Sequence, residues 1–326
     1  MSIKVSIILS VFNSSFWIDK AIQNLLEQDF EDCEIIIVND GSIDDTENKI
    51  LKYINFNPKI NYLFKEHSGL TDSLNFALAK ANGKWIARID VDDFSVKDRL
   101  SKQLEHAERK DNLVLIGSNF TLRKKDSIIY RSKLPDNNKK LLYRLRNMKG
   151  FFPHSSAFFK KEKALSVGGY RKAFRKSQDH DLWLRLSEIG DIGCHQEELV
   201  EINEHEKRIS NSKQGWNQNV YALTASSAYY LRQKGVKILE KKINNCDIDD
   251  ILEKANKYLE KKSFYRIEYL KKSIKNIFLD KNKIFLVKNL ILFALKNKLL
   301  FLKLLKLKIF SPNLAFKFSL KLNKYL

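Results

Sequence analysis

Residues 5–46 read VSIILSVFNSSFWIDKAIQNLLEQDFEDCEIIIVNDGSIDDT, and this stretch decides the fold. It contains two runs of mostly apolar, β-branched residues, at 5–11 and 34–38, with a helix-like segment at 17–28 between them. Each apolar run ends in a polar turn that is rich in Asn, Asp, Gly and Ser. A strand, a helix and a second strand in this order predict a β-α-β unit with parallel strands.

The following residues repeat the same alternation. Their patterns predict a helix at about 46–54, a strand at 60–65, a helix at 71–81 and a strand at 85–89. Alternating strands and helices predict an α/β fold in which helices cover both faces of a mostly parallel sheet. Ligands of such sheets bind beyond the carboxyl ends of the strands, where the polar turns of this sequence lie.

Charge divides the chain into two parts. The 326 residues carry a net charge of +20, but the first 206 residues hold 32 basic and 31 acidic side chains. The remaining 120 residues hold 27 basic and 8 acidic side chains. Strand signals also disappear from about Trp216, and helix-forming residues take over. We therefore predict an α/β domain at residues 1–210 and a helical, Lys/Leu-rich region at residues 211–326.

The cysteines and the amino terminus argue against a secreted protein. Cys33, Cys194 and Cys246 are widely spaced, which favours free thiols in a reducing compartment over a zinc site or a disulfide framework. The apolar run at 5–12 is short and lacks a small-residue cleavage site, so we interpret it as a buried strand rather than as a signal peptide. We expect a cytoplasmic location.

A cluster of carboxylates follows the predicted strand at 85–89. Asp90, Asp92 and Asp93 occupy three of four successive positions. Oxygen ligands of this kind suit a hard cation, Mn²⁺ or Mg²⁺. The alternative is a solvated acidic turn in which Asp93 caps the next helix, and the spacing alone does not separate the two interpretations.

Four segments together resemble the family 2 glycosyltransferases with the GT-A fold. They are residues 5–46, the segment EHSGLTDSLNFALAKANGKWIARIDVDD at 66–93, PHSSAFFKKEKALSVGGYR at 153–171 and SQDHDLWLRLSEIG at 177–190. Four motifs in the family's order are far more specific than any one of them. The resemblance covers roughly residues 3–210 and leaves the basic tail outside.

The resemblance implies a nucleotide site near the first two strands. Val11, Asn13 and Asp40 would hold the uracil and the ribose, and Gly69 and Asn75 would lie close to the nucleotide. Ordinary turn and capping roles are the alternative for Asp40, Gly69 and Asn75.

The resemblance also implies the metal site. Asp90 would lie near the ribose and the metal, and Asp92 would bind the metal directly. His205 resembles a histidine that in some GT-A enzymes reaches the metal, whereas a structural or solvent-exposed histidine is the alternative.

The last motif supplies the predicted catalytic base, Asp179. The family usually has Glu-Asp at this point, and this chain has Gln178 in place of the glutamate. Asp181 and His154 are candidates for the acceptor side of the site. Asp181 also stands in the first turn of a predicted helix, where a carboxylate stabilises the helix dipole, so a capping role is its alternative.

Together these residues predict a metal-dependent, inverting glycosyltransferase. It would transfer a sugar from a UDP-linked nucleotide-sugar to a hydroxyl of a glycan or of a lipid-linked acceptor. The product would belong to surface polysaccharide or glycolipid synthesis. Gln178 supports a different hypothesis, a catalytically inactive GT-A-like protein that acts as a membrane- or nucleic-acid-associated binding module.

The basic tail contains the segment IFLVKNLILFALKNKLLFLKLL at 284–305. Lysines interrupt it too often for an easy membrane span, which needs ~20 predominantly apolar residues. On a helix, five lysines fall within an arc of about 80°, namely Lys281, Lys288, Lys296, Lys303 and Lys306. This pattern predicts either a helix lying on anionic lipid at the inner face of the cell membrane or a packed helix with a solvated lysine face. We expect no nucleic acid partner, because the tail is poor in Arg and has no nucleic-acid motif.

Overall fold

The computed structural model describes residues 3–125, 127–205, 213–261 and 314–324. The chain divides into two compact units, Met1–Glu206 and Lys207–Leu326. The predicted tail helix at 284–305 lies outside the described residues.

The first unit is built on a mixed β-sheet. Its described strands are β1 (Val5–Val11), β2 (Cys33–Asp40), β3 (Ile60–Lys65), β4 (Trp85–Arg88), β5 (Phe94–Ser95), β6 (Leu113–Lys124), β7 (Ser127–Arg131), β8 (Phe158–Lys160) and β9 (Asp191–Asn203). Its described α-helices are α1 (Ile18–Leu26), α2 (Thr46–Ile54), α3 (Leu70–Lys80), α4 (Arg99–Glu108), α5 (Asn138–Arg146), α6 (Lys161–Ser166) and α7 (Gln178–Leu186). A short 3₁₀ helix spans His154–Ser156.

The two halves of the sheet differ in strand direction. The order is β3-β2-β1-β4-β8-β6-β9-β5, with β7 paired to β6. The first four strands of this order are parallel, as the β-α-β pattern predicts. In the second half β8 is antiparallel to both β4 and β6, whereas β6 and β9 are parallel. The α/β prediction is confirmed, although the described strand pairs beyond β4 are mostly antiparallel, with only β6 and β9 parallel.

The central strands are buried on both faces. Six of the seven β1 residues and all eight β2 residues are buried. On one face Val5, Ile7 and Leu9 join the main hydrophobic core together with residues of α1 and α4. Burial on both sides explains the continuous apolar runs in the sequence. The parallel pairing of β1 with β2 and with β4 places the carboxyl ends of these three strands at one edge of the sheet.

A buried carboxylate ties β2 to its neighbours. Glu34 is 2% exposed and accepts hydrogen bonds from the Ser6 hydroxyl at 2.6 Å and the Asn61 amide at 2.7 Å. It also accepts from the backbone and side-chain nitrogens of Asn82, at 2.6 and 3.0 Å. Four donors therefore depend on one side chain.

We expect Glu34→Ala to lower the free energy of unfolding by about 2 kcal/mol, because it leaves the buried Ser6 hydroxyl and the three part-buried donors of Asn61 and Asn82 without their acceptor. Urea unfolding of the purified protein measures this loss. Glu31→Ala is the matched control, since Glu31 is 89% exposed in its ion pair with Lys59 and such pairs contribute little. Equal midpoints for the two variants would contradict the assigned role of Glu34.

The described part of the second unit is helical. It contains α8 (Lys213–Arg232), α9 (Ile238–Asn244), α10 (Asp249–Lys261) and α11 (Leu314–Leu322). Both α10 and α11 pack on α8. The Trp216 indole donates to Asn256 at 2.7 Å, and the rings of Tyr230 and Phe316 meet edge to face at 5.5 Å. Among the described helices, none is both long and apolar enough to cross a membrane.

Candidate active site

The loops after β1 and β2 are joined by hydrogen bonds. Asn13 has a left-handed backbone, with φ of 48°, and its side-chain oxygen accepts from the Ile43 nitrogen at 2.9 Å. The Asn13 nitrogen donates to the Ser42 hydroxyl at 2.9 Å. Val11 is 1% exposed within the core, so its side chain cannot contact a nucleotide and only its main chain is available for the predicted role. Asn13 thus lies at the predicted edge, where its side-chain oxygen holds the second loop.

Asp40 ends β2 and is 2% exposed. Its carboxylate accepts from the backbone nitrogens of Ser68 at 3.0 Å and Gly69 at 2.8 Å, and it pairs with Lys65. Burial alone would raise the pKa of Asp40, but these hydrogen bonds lower it below its usual value. The carboxylate therefore holds the loop that precedes α3, and the predicted contact to uracil would have to use its remaining acceptor capacity.

The sequence patterns did not predict a stacked aromatic pair at the carboxyl ends of β1 and β2. The rings of Phe12 and His67 stack at 4.1 Å with an angle of 28° between them. Phe12 is 45% exposed although it directly follows a buried strand. A large exposed aromatic residue at the carboxyl end of β1 was the signal that could have identified it.

The Asn75 side chain is engaged by the backbone of Tyr170, and its place near the nucleotide stays a prediction. It lies on α3, where its amide nitrogen donates to the Tyr170 carbonyl at 2.7 Å and its oxygen accepts from the Tyr170 nitrogen at 2.9 Å. Gly169 has φ of 62°, and a Cβ at this position would lie 2.7 Å from the Asn75 oxygen. Asn75 therefore holds the Gly-Gly-Tyr loop, residues 168–170, in place. The positive φ and the close approach of Asn75 require glycine at position 169. Gly69, at the N-cap of α3, remains beside Asp40.

Asp90 follows β4 and is engaged by protein groups on both oxygens. One oxygen pairs with Arg88, and the other lies 3.0 Å from the Ser155 hydroxyl, which also approaches Asp93. Burial opposes ionisation, yet Arg88, His154 and Ser155 lower the pKa of Asp90 to about 2. Asp90 is therefore a carboxylate that protein partners already hold in place, and its role towards the metal stays a prediction.

The side chains of Asp92, just after β4, and His205 are in contact, although 113 residues separate them in the chain. The His205 Nε2 lies 2.7 Å from the Asp92 Oδ2, and the two side chains are 25% and 22% exposed. The Trp17 indole lies 5.4 Å from the His205 ring. The donor set of one carboxylate and one imidazole fits a divalent cation that takes its other ligands from phosphate and water. Within the described residues no cluster of three or more His, Cys, Asp or Glu side chains is arranged to hold a metal.

Asp179 lies in the first turn of α7. Burial raises the pKa of Asp179 above its usual value, and Asp90 acts in the same direction, whereas the hydrogen bond from the His180 nitrogen at 2.8 Å and the charge of Arg88 oppose the rise. Gln178, which replaces the family's usual glutamate, is 8% exposed. A carboxylate with a raised pKa is suited to accept a proton.

Asp181 lies away from any open acceptor surface. It is 1% exposed and accepts from the Arg171 Nε at 2.9 Å and from the Arg185 Nη2 at 2.7 Å. Arg185 also donates to the Gly169 carbonyl at 2.7 Å. The geometry therefore replaces the acceptor-side interpretation of Asp181 with an ion cluster that holds the Gly-Gly-Tyr loop against α7. The alternative, a helix-capping role, was right that Asp181 is structural. The partners of its carboxylate are arginine side chains, however, and not the backbone groups of a helix cap.

His154 joins the acceptor-side motif to this loop. Its Nε2 lies 2.9 Å from the Tyr170 hydroxyl, and its ring meets the Trp183 ring edge to face at 5.9 Å. Burial lowers the pKa of His154 to about 3, and Arg88 contributes in the same direction, so the imidazole is neutral. Tyr170 is 1% exposed, and burial raises the pKa of its phenol. These contacts tie the motif at residues 153–171 to α7 through Trp183.

Known proteins share the motifs and the fold. Residues 6–168, half of the chain, match the sequence model of Glycosyl transferase family 2. The chain belongs to glycosyltransferase family 2.

Curated relatives include the O-antigen biosynthesis glycosyltransferase WbnJ of Escherichia coli, with 31% identity over 184 residues that cover 56% of this chain and 71% of WbnJ. The amylovoran biosynthesis glycosyltransferase AmsE of Erwinia amylovora is 25% identical over 65% of this chain and 80% of AmsE. An uncharacterized glycosyltransferase of Rickettsia felis is 28% identical over 71% of this chain, and the match spans only 39% of that longer protein.

Solved structures confirm the predicted GT-A fold. S. aureus TarS 1-349 in complex with UDP-GlcNAc superposes with a TM-score of 0.59 at 16% identity, over 75% of this chain and 72% of TarS 1-349. The mannosyltransferase PcManGT from Pyrobaculum calidifontis, in complex with GDP-Man and Mn²⁺, gives a TM-score of 0.51 at 15% identity, over 87% of this chain and 83% of PcManGT.

Proposed function

We propose that the chain is a metal-dependent, inverting glycosyltransferase that transfers a sugar from a UDP-sugar to an acceptor hydroxyl. The observation that carries the proposal is the meeting of Asp92 and His205 at the carboxyl edge of the sheet. Membership of family 2 supports a transferase, and the UDP-GlcNAc complex of TarS supports a UDP-linked donor. The acceptor is a glycan or a lipid-linked glycan in surface polysaccharide synthesis, by analogy with the names of WbnJ and AmsE.

The residues divide the work between the two sides of the site. On the donor side, Phe12, Asp40 and the main chain near Asn13 bind the nucleotide. Asp92 and His205 would hold Mn²⁺ or Mg²⁺, which neutralises the negative charge of the departing diphosphate when bound.

On the acceptor side, Asp179 takes the proton of the attacking hydroxyl. One base suffices for a single displacement at the anomeric carbon, and such a displacement inverts its configuration. Its burial strengthens it for this role, since a raised pKa brings a carboxylate closer to neutral pH. His154 would contact the acceptor.

A ligand panel tests the donor assignment. UDP-, GDP-, dTDP- and ADP-sugars are added to the full-length protein with and without Mn²⁺, and thermal unfolding is followed. A donor that binds the folded state raises the midpoint in proportion to the logarithm of its concentration. We expect UDP-sugars to do so only with metal present. A metal-independent shift, or none with any nucleotide-sugar, would favour the inactive binding module instead.

We also propose that residues 1–210 form the catalytic domain and that residues 211–326 attach it to the inner face of the cell membrane. The 27 basic and 8 acidic side chains after residue 206 support an anionic lipid surface as the partner.

Replacing five tail lysines by Gln should release the protein from anionic liposomes. The positions are Lys281, Lys288, Lys296, Lys303 and Lys306. Co-sedimentation with phosphatidylserine-containing vesicles measures binding, and salt should weaken it because exposed charges are screened within ~8 Å at physiological ionic strength.

The matched control removes the same charge from exposed lysines of the first unit, at Lys52, Lys80, Lys84, Lys97 and Lys139. Equal binding by the two variants would show that net charge, rather than the tail, attracts the vesicles. No binding by the unaltered protein would end the membrane proposal.

A further inference from the structure

Basic side chains of the first unit are concentrated in two segments next to α7, the helix that carries Asp179. Residues 137–149 contain five Lys or Arg side chains and residues 171–176 contain four, and neither segment contains a carboxylate. The rest of residues 1–206 holds 23 basic and 31 acidic side chains. The first unit is therefore close to neutral as a whole, but its positive charge is unevenly distributed.

The basic loop, residues 171–176, is held in place between α3 and α7. Phe174 is 0% exposed, and its carbonyl accepts from the Thr71 hydroxyl of α3 at 3.3 Å. The Arg171 Nε donates to Asp181 of α7 at 2.9 Å, and the Arg171 guanidinium lies 5.3 Å from the Phe174 ring. These anchors give the residues that follow Phe174 a defined position in front of α7.

Two of the four cations in the basic loop are left without a partner. Arg175 is exposed and Lys176 is partly exposed, and neither side chain has a hydrogen bond or an ion pair with the described residues. Arg171 and Lys172, by contrast, each pair with a carboxylate. Only three or four residues separate the two free cations from Asp179, so their Cα atoms lie within ~14 Å of the Asp179 Cα.

The second basic segment includes α5, which packs on α7. This helix begins beside β9, where the Asn138 side-chain oxygen accepts from the Ile192 nitrogen at 3.1 Å. Arg144 and Arg146 lie in its last turn, and neither has an ion pair with the described residues. They belong to the stretch of chain that leads to His154, so further cations precede this acceptor-side candidate.

An ordinary solvated surface intersperses both signs of charge. A surface with one sign attracts ligands of the opposite sign, and Arg binds carboxylate and phosphate groups through paired hydrogen bonds. Gln178, which lies between the basic loop and Asp179, is uncharged and adds no repulsion against an incoming anion. The uneven charge therefore fits a negatively charged ligand that approaches Asp179.

We propose that the acceptor carries a negatively charged group, a phosphate or a carboxylate, which binds to Arg175 and Lys176 while its attacking hydroxyl lies at Asp179. The inference rests on the proposed function and narrows the acceptor from glycans in general to acidic or phosphorylated ones. The diphosphate of the donor is assigned to the opposite side of the site, to the metal held by Asp92 and His205.

The test compares two matched pairs of probes, whose binding to the full-length protein is measured by isothermal titration with UDP and Mn²⁺ present. One pair is penta-galacturonate and its neutral methyl ester. The other is N-acetylglucosamine joined to a citronellyl chain through a diphosphate, and the same sugar joined to that chain by a neutral glycosidic bond. We expect one anionic probe to bind at least about tenfold more tightly than its neutral partner. The pair that shows the difference identifies the group as carboxylate or phosphate.

Arg175→Gln with Lys176→Gln should remove this preference and leave the affinities for UDP and Mn²⁺ unchanged. Arg175→Gln alone, at an exposed position, should lower the preference part of the way, and it serves if the double variant is unstable. Lys80→Gln with Lys84→Gln is the matched control, because these exposed lysines precede β4 and lie at the opposite edge of the sheet. It should keep the full preference. Added salt should weaken binding of the anionic probe only.

Equal binding within both pairs, or no binding of either anionic probe, would overturn the inference. A double variant that keeps the preference would do the same. Loss of UDP affinity in that variant would assign the two cations to the donor instead. Because binding is measured without turnover, a protein that releases UDP from no donor would reject the proposed function, while a charge preference that depends on Arg175 and Lys176 would stand.

Discussion

Asp179→Asn is expected to lower turnover by ~10² to 10⁴-fold, the usual loss when a general base is removed. The amide cannot accept the proton of the attacking hydroxyl, but it keeps the shape of the side chain and can still accept from the His180 nitrogen. Affinity for UDP and for Mn²⁺ should therefore stay near that of the unaltered protein. Isothermal titration measures the affinities, and released UDP measures turnover.

The pH dependence of activity gives a second test of Asp179 as the catalytic base. Only the ionised carboxylate can accept a proton, so activity falls as pH drops through the pKa of Asp179. Because burial raises that pKa, the acid limb should lie at a higher pH than an ordinary aspartate would give. Asp111→Asn, at an exposed position, is the control and should change neither rate nor profile. Loss of nucleotide affinity in Asp179→Asn would instead make this residue part of the donor site.

Asp92→Asn is expected to abolish metal-dependent transfer. It removes the charged partner of His205, and a neutral amide is a much weaker ligand for a hard cation. The Asp92 side chain is 22% exposed, so the fold and its unfolding midpoint should survive the change. Mn²⁺ affinity should fall together with turnover, and higher Mn²⁺ should restore part of the rate.

A graded series sharpens this prediction. His205→Gln should also weaken Mn²⁺ binding. Asp98→Asn is the control, since it changes a 42% exposed carboxylate that pairs with Lys102, and it should leave Mn²⁺ binding unchanged. Unaltered activity and Mn²⁺ dependence in Asp92→Asn would remove Asp92 from the metal site.

Local patterns predicted the first half of the sheet well. The bounds of β1, α2 and β3 agree with the sequence prediction, because burial on both faces and clear turn signals leave their mark in a few consecutive residues. The second half depends on pairing between distant segments, such as β6 with β9, which periodicity does not reveal.

The candidate site shows the same division. The sequence located Asp92 and Asp179 at the ends of elements, where the structure has them. Asn75 and Asp181 were assigned to substrate because their motifs lie close to the site, yet their partners are a backbone loop and two arginines. Arg88 was overlooked because a charged residue in a strand gives no sign of being fully buried.

The anomeric configuration of the transferred sugar tests the central claim most directly. The full-length protein is incubated with Mn²⁺ and the α-linked UDP-sugar that gives the largest thermal shift, with water or a glycan as acceptor, and the new anomeric signal is followed by ¹H NMR as UDP appears. A single displacement assisted by one base predicts that the first-formed product is the β-anomer and that Asp179→Asn does not form it. A first-formed α-anomer, or the absence of UDP release with every donor, would contradict the account.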